Sequence, residues 1–291
     1  MRILLTGATG FVGSAVATEL LAAGYEVVGL ARSEEAEHTL RAAGVSIERG
    51  SLEDRDGLRA AAGKVDGVVH LAFNTDRVDF QQSCEFDRIA IETIGECLAG
   101  TGKTLVVPNG MAGIAPGRVV SECDDIPLHF QFPRASEQTA LRFVSQGVAA
   151  AVVRLAQVHD VSKQGLITGL IGIARKTGKS AYVGEGANRW PAVHVSDAAR
   201  LFRLVLEAAE PGVKYHAVAE EGVAMRDIAG VIADRLGIPL ASIDEGQAPE
   251  HFGPFARFAT ADMPATSDAT RAKLGWQPSG PALINDLGRI S

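Results

Sequence analysis

The chain of 291 residues has little cysteine, and its three cysteines lie far apart. Cys84, Cys97 and Cys123 show no Cys-x-x-Cys spacing, which argues against a disulfide framework or a zinc site and fits a reducing cytoplasm. No two histidines have the spacing of metal ligands, so we expect no metal. These features predict a cytoplasmic, metal-free protein.

Positive charge and long hydrophobic runs are also scarce. The net charge is −7, which makes a sequence-independent grip on nucleic acid or an anionic membrane unfavourable. The longest apolar stretch, 165–174, carries four glycine or threonine interruptions and is too short to cross a bilayer. The apolar run after Arg2 is too short for a signal peptide. We therefore expect neither a nucleic-acid nor a membrane partner.

The first 155 residues alternate short apolar runs with helical patterns. The predicted strands are 3–5, 27–30, 45–48, 67–72, 105–107 and 149–155. The predicted helices are 14–21, 34–43, 54–62, 84–98 and 136–146. Such alternation is typical of a Rossmann-like α/β fold with a doubly wound parallel sheet, covered by helices on both faces.

The regular alternation of predicted strands and helices ends after residue 155. Helical patterns at 165–176, 198–208 and 225–236 are separated by short strands at 192–195 and 215–218. We expect a nucleotide-binding domain at 1–155, to which about 190–220 return, and a smaller C-terminal α/β substrate lobe at 156–291. No low-complexity linker marks the boundary.

A glycine-rich turn follows the first predicted strand and precedes the first helix. Glycines at 7, 10 and 13 permit a tight turn and a close backbone approach, and a helix N-terminus offers N–H groups to phosphates. We expect this turn to cradle the pyrophosphate of a dinucleotide. The expected contacts are Gly7, Thr9, Gly10, Phe11, Val12 and Gly13.

Residues 6–13, Thr-Gly-Ala-Thr-Gly-Phe-Val-Gly, resemble the extended short-chain dehydrogenase/reductase superfamily, the NAD(P)-dependent epimerase/dehydratase-like proteins. The likeness recurs in order at 50–54, 69–72, 153–155, 192–199 and 274–278. The resemblance adds segments after the third and fourth strands to the expected cofactor contacts. These contacts are Ser51, Leu52, Leu71, Ala72 and Phe73.

The end of the second strand bears on the choice of nucleotide. NAD enzymes of this fold place an acidic residue there, whereas this chain has Arg32 and Ser33. A guanidinium pairs with a 2′-phosphate, so we favour NADP(H) over NAD(H). In the alternative reading, Arg32 is solvated and Glu34 or Glu35 binds the ribose.

The family's Tyr-x-x-x-Lys pair has no counterpart. Alignment on Arg134 puts Phe132 at the tyrosine position and Ser136 at the lysine position, and Asn109 stands where a serine is usual. This resembles atypical subgroups that keep the cofactor site without the catalytic triad. The candidate substitutes are His129, Arg134, Asn109 and His159. The alternatives are that His129 is a loop residue and that Arg134 pairs with Glu137 or Asp125.

Arg189 and Trp190 are candidate substrate contacts, because an indole beside a guanidinium suits an anionic or planar ligand. The alternative is a packed tryptophan with a surface arginine. We expect His194 to be structural, and His70 and His216 to be satisfied within strands.

The leading interpretation is an NADP(H)-dependent oxidoreductase of the atypical extended type, acting on a small carbonyl, imine or alcohol. A non-catalytic NAD(P)-binding sensor is the alternative from another class, and a nucleotide-sugar epimerase or dehydratase is a further one. The resemblance also implies a homodimer through helices 84–98 and 136–146.

Overall fold

A seven-stranded sheet organises the chain, which the computed structural model describes at residues 1–74, 79–115, 117–127 and 133–290. Its strands are β1 Arg2–Thr6, β2 Glu26–Ala31, β3 Ser46–Arg49, β4 Gly67–His70, β5 Thr104–Gly110, β6 Ala149–Leu155 and β10 Lys214–Ala217. The order across the sheet is β3-β2-β1-β4-β5-β6-β10, and every neighbouring pair is parallel. The predicted doubly wound fold is confirmed.

Helices cover both faces of this sheet, and each face carries its own hydrophobic core. These helices are α1 Phe11–Ala22, α2 Glu34–Ala42, α3 Arg55–Gly63, α4 Phe80–Leu98, α5 Ser136–Leu141 and α7 Val195–Ala208. On one face, Leu20 of α1 and Phe202 of α7 are fully buried, and on the other Leu58 of α3 and Ile91 of α4 are. Burial on both faces explains why the strands are continuous apolar runs.

The C-terminal elements form a third core. A three-stranded sheet contains β7 Gln157–His159, β9 Arg189–His194 and β11 Glu220–Ala224, and a two-stranded sheet contains β8 Ser180–Val183 and β12 Leu240–Ile243. The helices are α6 Ile167–Thr177, α8 Met225–Leu236, α9 Ala248–Phe252, α10 Ala256–Ala259, α11 Asp268–Leu274 and α12 Leu283–Leu287. This core surrounds Trp190.

Several element boundaries differ from the predictions, and three of them have a local cause in the hydrogen bonding. The helix predicted from residue 84 begins at Phe80, because Asp79 caps it by accepting a hydrogen bond from the Gln81 N–H. The helix predicted at 136–146 ends as α-helix at Leu141, and the Phe143 N–H turns to the Ala140 carbonyl in a tighter 3₁₀-type bond. The helix predicted from residue 198 begins at Val195, because His194 caps it by accepting a hydrogen bond from the Ser196 N–H.

Among the helices that the structure describes, none combines the length and the apolarity that a bilayer crossing requires.

Candidate active site

The glycine turn joins β1 to α1 through contacts that leave no room for a side chain. Gly7 has φ +71°, and a Cβ there would lie 2.6 Å from the Ala72 nitrogen. A Cβ on Gly13 would overlap the carbonyl oxygen of Gly7. The Gly10 N–H donates to that same oxygen at 2.9 Å. The three glycines therefore hold α1 tightly against the ends of β1 and β4.

The N-terminus of α1 fits a phosphate group. Its N-cap, Gly10, has no side chain to occupy the first-turn N–H groups, and the first turn carries no acidic residue. The positive end of the helix dipole and the N–H groups of this turn favour an anion. The residues present thus fit the pyrophosphate of a dinucleotide.

A cleft of about 1050 Å³, including its part open to solvent, runs along the carboxyl ends of the strands. We call its end at Gly7, Thr9 and Gly10 the glycine end. Nine of the expected cofactor contacts line this cleft: Gly7, Thr9, Gly10, Arg32, Ser51, Leu52, Leu71, Ala72 and Phe73. It lies at the switch point between β1 and β4, where ligands of open parallel sheets bind.

Four further expected contacts have other positions. Phe11 and Val12 pack in part against the core. Gly13 permits the close approach to Gly7, and Ser33 caps α2 by accepting from the Ala36 N–H at 3.2 Å. The cleft also has lining residues that the sequence analysis did not single out: Leu30, Ala36, Gly50, Glu53, Asn74, Ser83 and Phe86. Ser83 and Phe86 lie three residues apart on α4, and this spacing places both side chains on the same face of the helix. That spacing is the feature of the sequence from which they could have been predicted.

Arg134 lies against Phe73, which lines the cleft. Arg134 itself is not among the lining residues, and we call the part of the cleft at Phe73 the Arg134 end. Its guanidinium carbon is 4.4 Å from the centroid of the Phe73 ring. Its Nε donates to the Ser136 hydroxyl at 2.9 Å and lies 3.7 Å from an Asp87 carboxylate oxygen. The expected partners Glu137 and Asp125 are therefore replaced by Asp87. The side chain of Arg134 remains 21% exposed.

Asp87 is almost fully buried on α4, where it accepts hydrogen bonds from His70 and Ser136 at 3.3 and 2.5 Å. Burial raises the pKa of this carboxyl. The hydrogen bond from His70, the charge of Arg134 and the hydrogen bond from Ser136 outweigh that effect and hold the pKa below its ordinary value. His70, expected to be a satisfied strand residue, is thus part of a charged network at the cleft.

A second network lies next to the first on α5. Glu137 accepts from Arg154 Nε at 2.8 Å and from an Arg154 terminal nitrogen at 2.6 Å, and also from the Asn109 side chain at 3.1 Å. Arg154 is fully buried, and His216 lies 3.4 Å from its other terminal nitrogen. Asn109, a catalytic candidate, is therefore nearly buried in an ion-pair network and is not among the cleft-lining residues.

The other catalytic candidates are not at this cleft as the structure describes it. His159 is fully buried in β7, and its Nδ1 lies 2.8 Å from an Asp286 carboxylate oxygen. Burial lowers the pKa of His159, and the hydrogen bond to Asp286 offsets this only in part. Buried in this way, His159 has no surface to offer a substrate, which corrects the expectation. His129, like Phe132, lies outside the described residues.

Arg189 and Trp190 do not form the ligand surface that the sequence suggested. Trp190 is fully buried in the C-terminal core, and its Nε1 donates to the Ala261 carbonyl at 3.2 Å. Arg189 is exposed and pairs with Asp262 at 3.0 Å. The alternative reading, a packed tryptophan with a surface arginine, describes this geometry. Within the described ranges, no group of three or more His, Cys, Asp or Glu side chains is arranged to hold a metal ion.

The strand, glycine turn and helix at the switch point define a dinucleotide-binding α/β protein. The sequence pattern of the NAD dependent epimerase/dehydratase family matches residues 3–92. An uncharacterized protein of Schizosaccharomyces pombe is 44% identical over 99% of this chain and 98% of its own length. The chain belongs to the NAD dependent epimerase/dehydratase family, as the resemblance implied.

Two other comparisons extend this result. A 2-alkyl-3-oxoalkanoate reductase of Stenotrophomonas maltophilia is 27% identical over 82% of this chain and 77% of its own length. The crystal structure of DesIV, a dTDP-glucose 4,6-dehydratase of Streptomyces venezuelae with NAD and TYD bound, has a TM-score of 0.77 and 22% identity. It covers 99% of this chain and 95% of its own, and it supports the fold alone.

Proposed function

We propose that the protein is an NADP(H)-dependent oxidoreductase that transfers hydride to or from a small carbonyl, imine or alcohol. The observation that carries this proposal is the cleft, which is lined by a phosphate-accepting glycine turn and by Phe73, against whose ring the guanidinium of Arg134 lies. The relative from S. maltophilia, which is named as a reductase, supports the same class of reaction.

The preference for NADP(H) depends on the residues immediately after β2. Arg32 lines the cleft directly after Ala31, in the place where an acidic side chain would repel a 2′-phosphate. Ser33 accepts a hydrogen bond from Ala36, so its hydroxyl hydrogen can be donated to a phosphate oxygen. Of the three acidic residues in the first turn of α2, Glu34, Glu35 and Glu37, the exposed Glu34 and Glu35 oppose this preference.

Different residues along the cleft would bind different parts of the cofactor and the substrate. The first turn of α1 would hold the pyrophosphate, Leu52 would contact the adenine and Arg32 would bind the 2′-phosphate. The nicotinamide, when bound, supplies or accepts the hydride. Arg134 would stabilise negative charge on the substrate oxygen, as a guanidinium does without releasing its proton. Water or His129 would deliver the proton.

Transfer of a labelled hydride tests the proposal. Purified protein is given NADPH deuterated at nicotinamide C4, with benzaldehyde, diacetyl and a cyclic imine as probes, and the products are analysed by mass spectrometry. We expect one deuterium in the alcohol or amine product. Binding of NADPH without label transfer to any probe, and without oxidation of the matching alcohols by NADP⁺, would contradict an oxidoreductase.

A non-catalytic sensor is the second candidate, and the position of Ser136 favours it. Ser136 stands where the family resemblance places the catalytic lysine, yet it is fully buried and bonded to Asp87. No tyrosine is among the described residues that line the cleft. Tight NADPH binding without turnover would support this candidate. The missing tyrosine also counts against an epimerase or dehydratase, which needs the same base.

We also propose a homodimer through α4 and α5, on the family resemblance alone. The exposed side of α4 already satisfies its charges within the chain, since Arg88 pairs with Glu85 and Glu92. Light scattering at micromolar concentration should give twice the monomer mass. A monomer mass would contradict the proposal.

A further inference from the structure

Asp87 is the meeting point of a hydrogen-bonded chain that crosses the domain. On one side lie His70 of β4 and Thr6 of β1, and on the other lie Ser136 and Arg134. Thr6 immediately precedes the glycine turn, and Arg134 lies beside the cleft-lining Phe73. This series of hydrogen bonds therefore connects the glycine end of the cleft with the Arg134 end through the protein interior.

The donor and the acceptor of each of these hydrogen bonds can be assigned. The Thr6 hydroxyl oxygen accepts from the N–H groups of Leu71 and Ala72 at 3.2 and 3.1 Å. Its own hydrogen is therefore donated to His70 Nδ1 at 2.9 Å, which assigns the neutral tautomer with a proton on Nε2. That proton is directed at Asp87. The hydrogen bonds from Thr6 through His70 and those from Arg134 through Ser136 thus both donate toward the Asp87 carboxylate.

Arg134 uses only one of its three guanidinium nitrogens in this series of hydrogen bonds. Nε donates to Ser136, and no described residue accepts a hydrogen bond from the two terminal nitrogens. The guanidinium plane is further restrained by the Phe73 ring. An arginine fixed at Nε and by stacking presents its remaining donors in a defined direction.

We propose that Asp87, supported by His70 and Thr6 and acting through Ser136, is the positioning residue that fixes Arg134 to receive the substrate's developing oxyanion. This inference rests on the proposed oxidoreductase function and names the residues behind it. A long, partly exposed side chain beside a cleft has many rotamers, and a preorganised donor stabilises a transition state far better than a mobile one. A buried carboxylate, itself held from two sides, supplies the preorganisation.

Chemical rescue separates positioning from packing. Arg134→Ala should lower kcat for diacetyl reduction about 100-fold, as loss of an oxyanion donor does, with little change in NADPH Kd. Added guanidinium chloride at millimolar concentration should restore much of the kcat, because the site between Asp87, Ser136 and Phe73 remains. Arg134→Ala combined with Asp87→Asn should show no rescue. Equal rescue in both backgrounds would overturn the proposal.

Asp286→Asn provides a matched control, because Asp286 is the second buried aspartate bonded to a histidine, His159. It should lower the melting temperature without lowering kcat, whereas Asp87→Asn should lower kcat more than it raises KM. A kcat loss in Asp286→Asn equal to that in Asp87→Asn would show that any buried aspartate matters, and would overturn a specific positioning role.

A thermal double-mutant cycle decides the positioning without turnover. If Asp87 holds Arg134, the melting-temperature losses of Asp87→Asn and Arg134→Met should be clearly non-additive in the double variant. Additive losses would overturn the positioning. Non-additive losses in a protein that shows no label transfer would keep the Asp87–Arg134 contact, while contradicting the oxidoreductase function and with it the oxyanion role.

Discussion

The two ends of the cleft differ in the groups that form them, which are backbone at one end and charged side chains at the other. The glycine end is made of backbone, where Gly7, Gly10 and Gly13 bring a helix terminus against two strands. The Arg134 end is made of buried charged side chains, in two networks that meet at the first turn of α5. The first end needs residues without side chains, and the second needs exact partners from distant segments. Substitutions should therefore harm the two ends in different ways.

The largest effect is expected for Glu137→Gln. Arg154 is fully buried and bonded twice to Glu137, so the variant leaves a buried positive charge without its counter-charge. The expected loss is about 3–5 kcal/mol of unfolding free energy, measured by urea denaturation. Glu85→Gln breaks a similarly double-bonded but exposed pair with Arg88 and should cost below about 1 kcal/mol. Equal losses in the two variants would contradict a stability role for the buried network.

Gly13→Ala should have the next largest effect, because its Cβ would overlap the Gly7 carbonyl oxygen and push α1 away from β1. We expect a loss of about 1–3 kcal/mol and a clearly weaker NADPH affinity, measured by denaturation and by fluorescence titration. Gly172→Ala, in α6 with open space around it, should leave affinity unchanged and stability equal or higher. If Gly13→Ala binds NADPH like wild type, the glycine end is not the phosphate site.

Acid should give a smaller effect, through buried histidines. Burial lowers the pKa of His216, which lies against Arg154, and of His159, although hydrogen bonds offset part of the shift. A histidine whose folded pKa is depressed takes up its proton more readily when unfolded. Stability is therefore lost as pH falls through the unfolded value of about 6.5. We expect the melting temperature to fall over this range, less steeply in His159→Gln. A melting temperature that rises on acidification would contradict this account.

The same difference explains what the sequence could predict. The glycine turn, the individual strands of the main sheet and Arg32 lie in short contiguous segments, whose spacing directly reflects local geometry. The Asp87 network joins residues that are 17 and 49 positions apart, and nothing local in the sequence marks them as partners. The sequence left two interpretations of Trp190 open for a related reason, since its burial depends on the C-terminal core and not on the adjacent Arg189.

Boundaries set by tertiary packing were also missed. Residues 136–146 have a helical pattern, but a Cβ on Gly95 of α4 would meet the Phe143 ring, which shows how closely the two segments pack. The backbone tightens there and α5 ends at Leu141. The short strands β8 and β12 also lack a continuous apolar run that would mark them, and in the described part of the chain they pair with each other alone.

The central claim is that the glycine end and Arg32 together form an NADP(H) site, and a cofactor titration tests it most directly. NADPH and NADH are titrated against wild type, Arg32→Glu and Arg175→Glu, which makes the same charge change on exposed Arg175 of α6. We predict that wild type and Arg175→Glu bind NADPH at least about tenfold more tightly than NADH, and that Arg32→Glu loses or reverses this preference. Equal or tighter binding of NADH by wild type would contradict the claim.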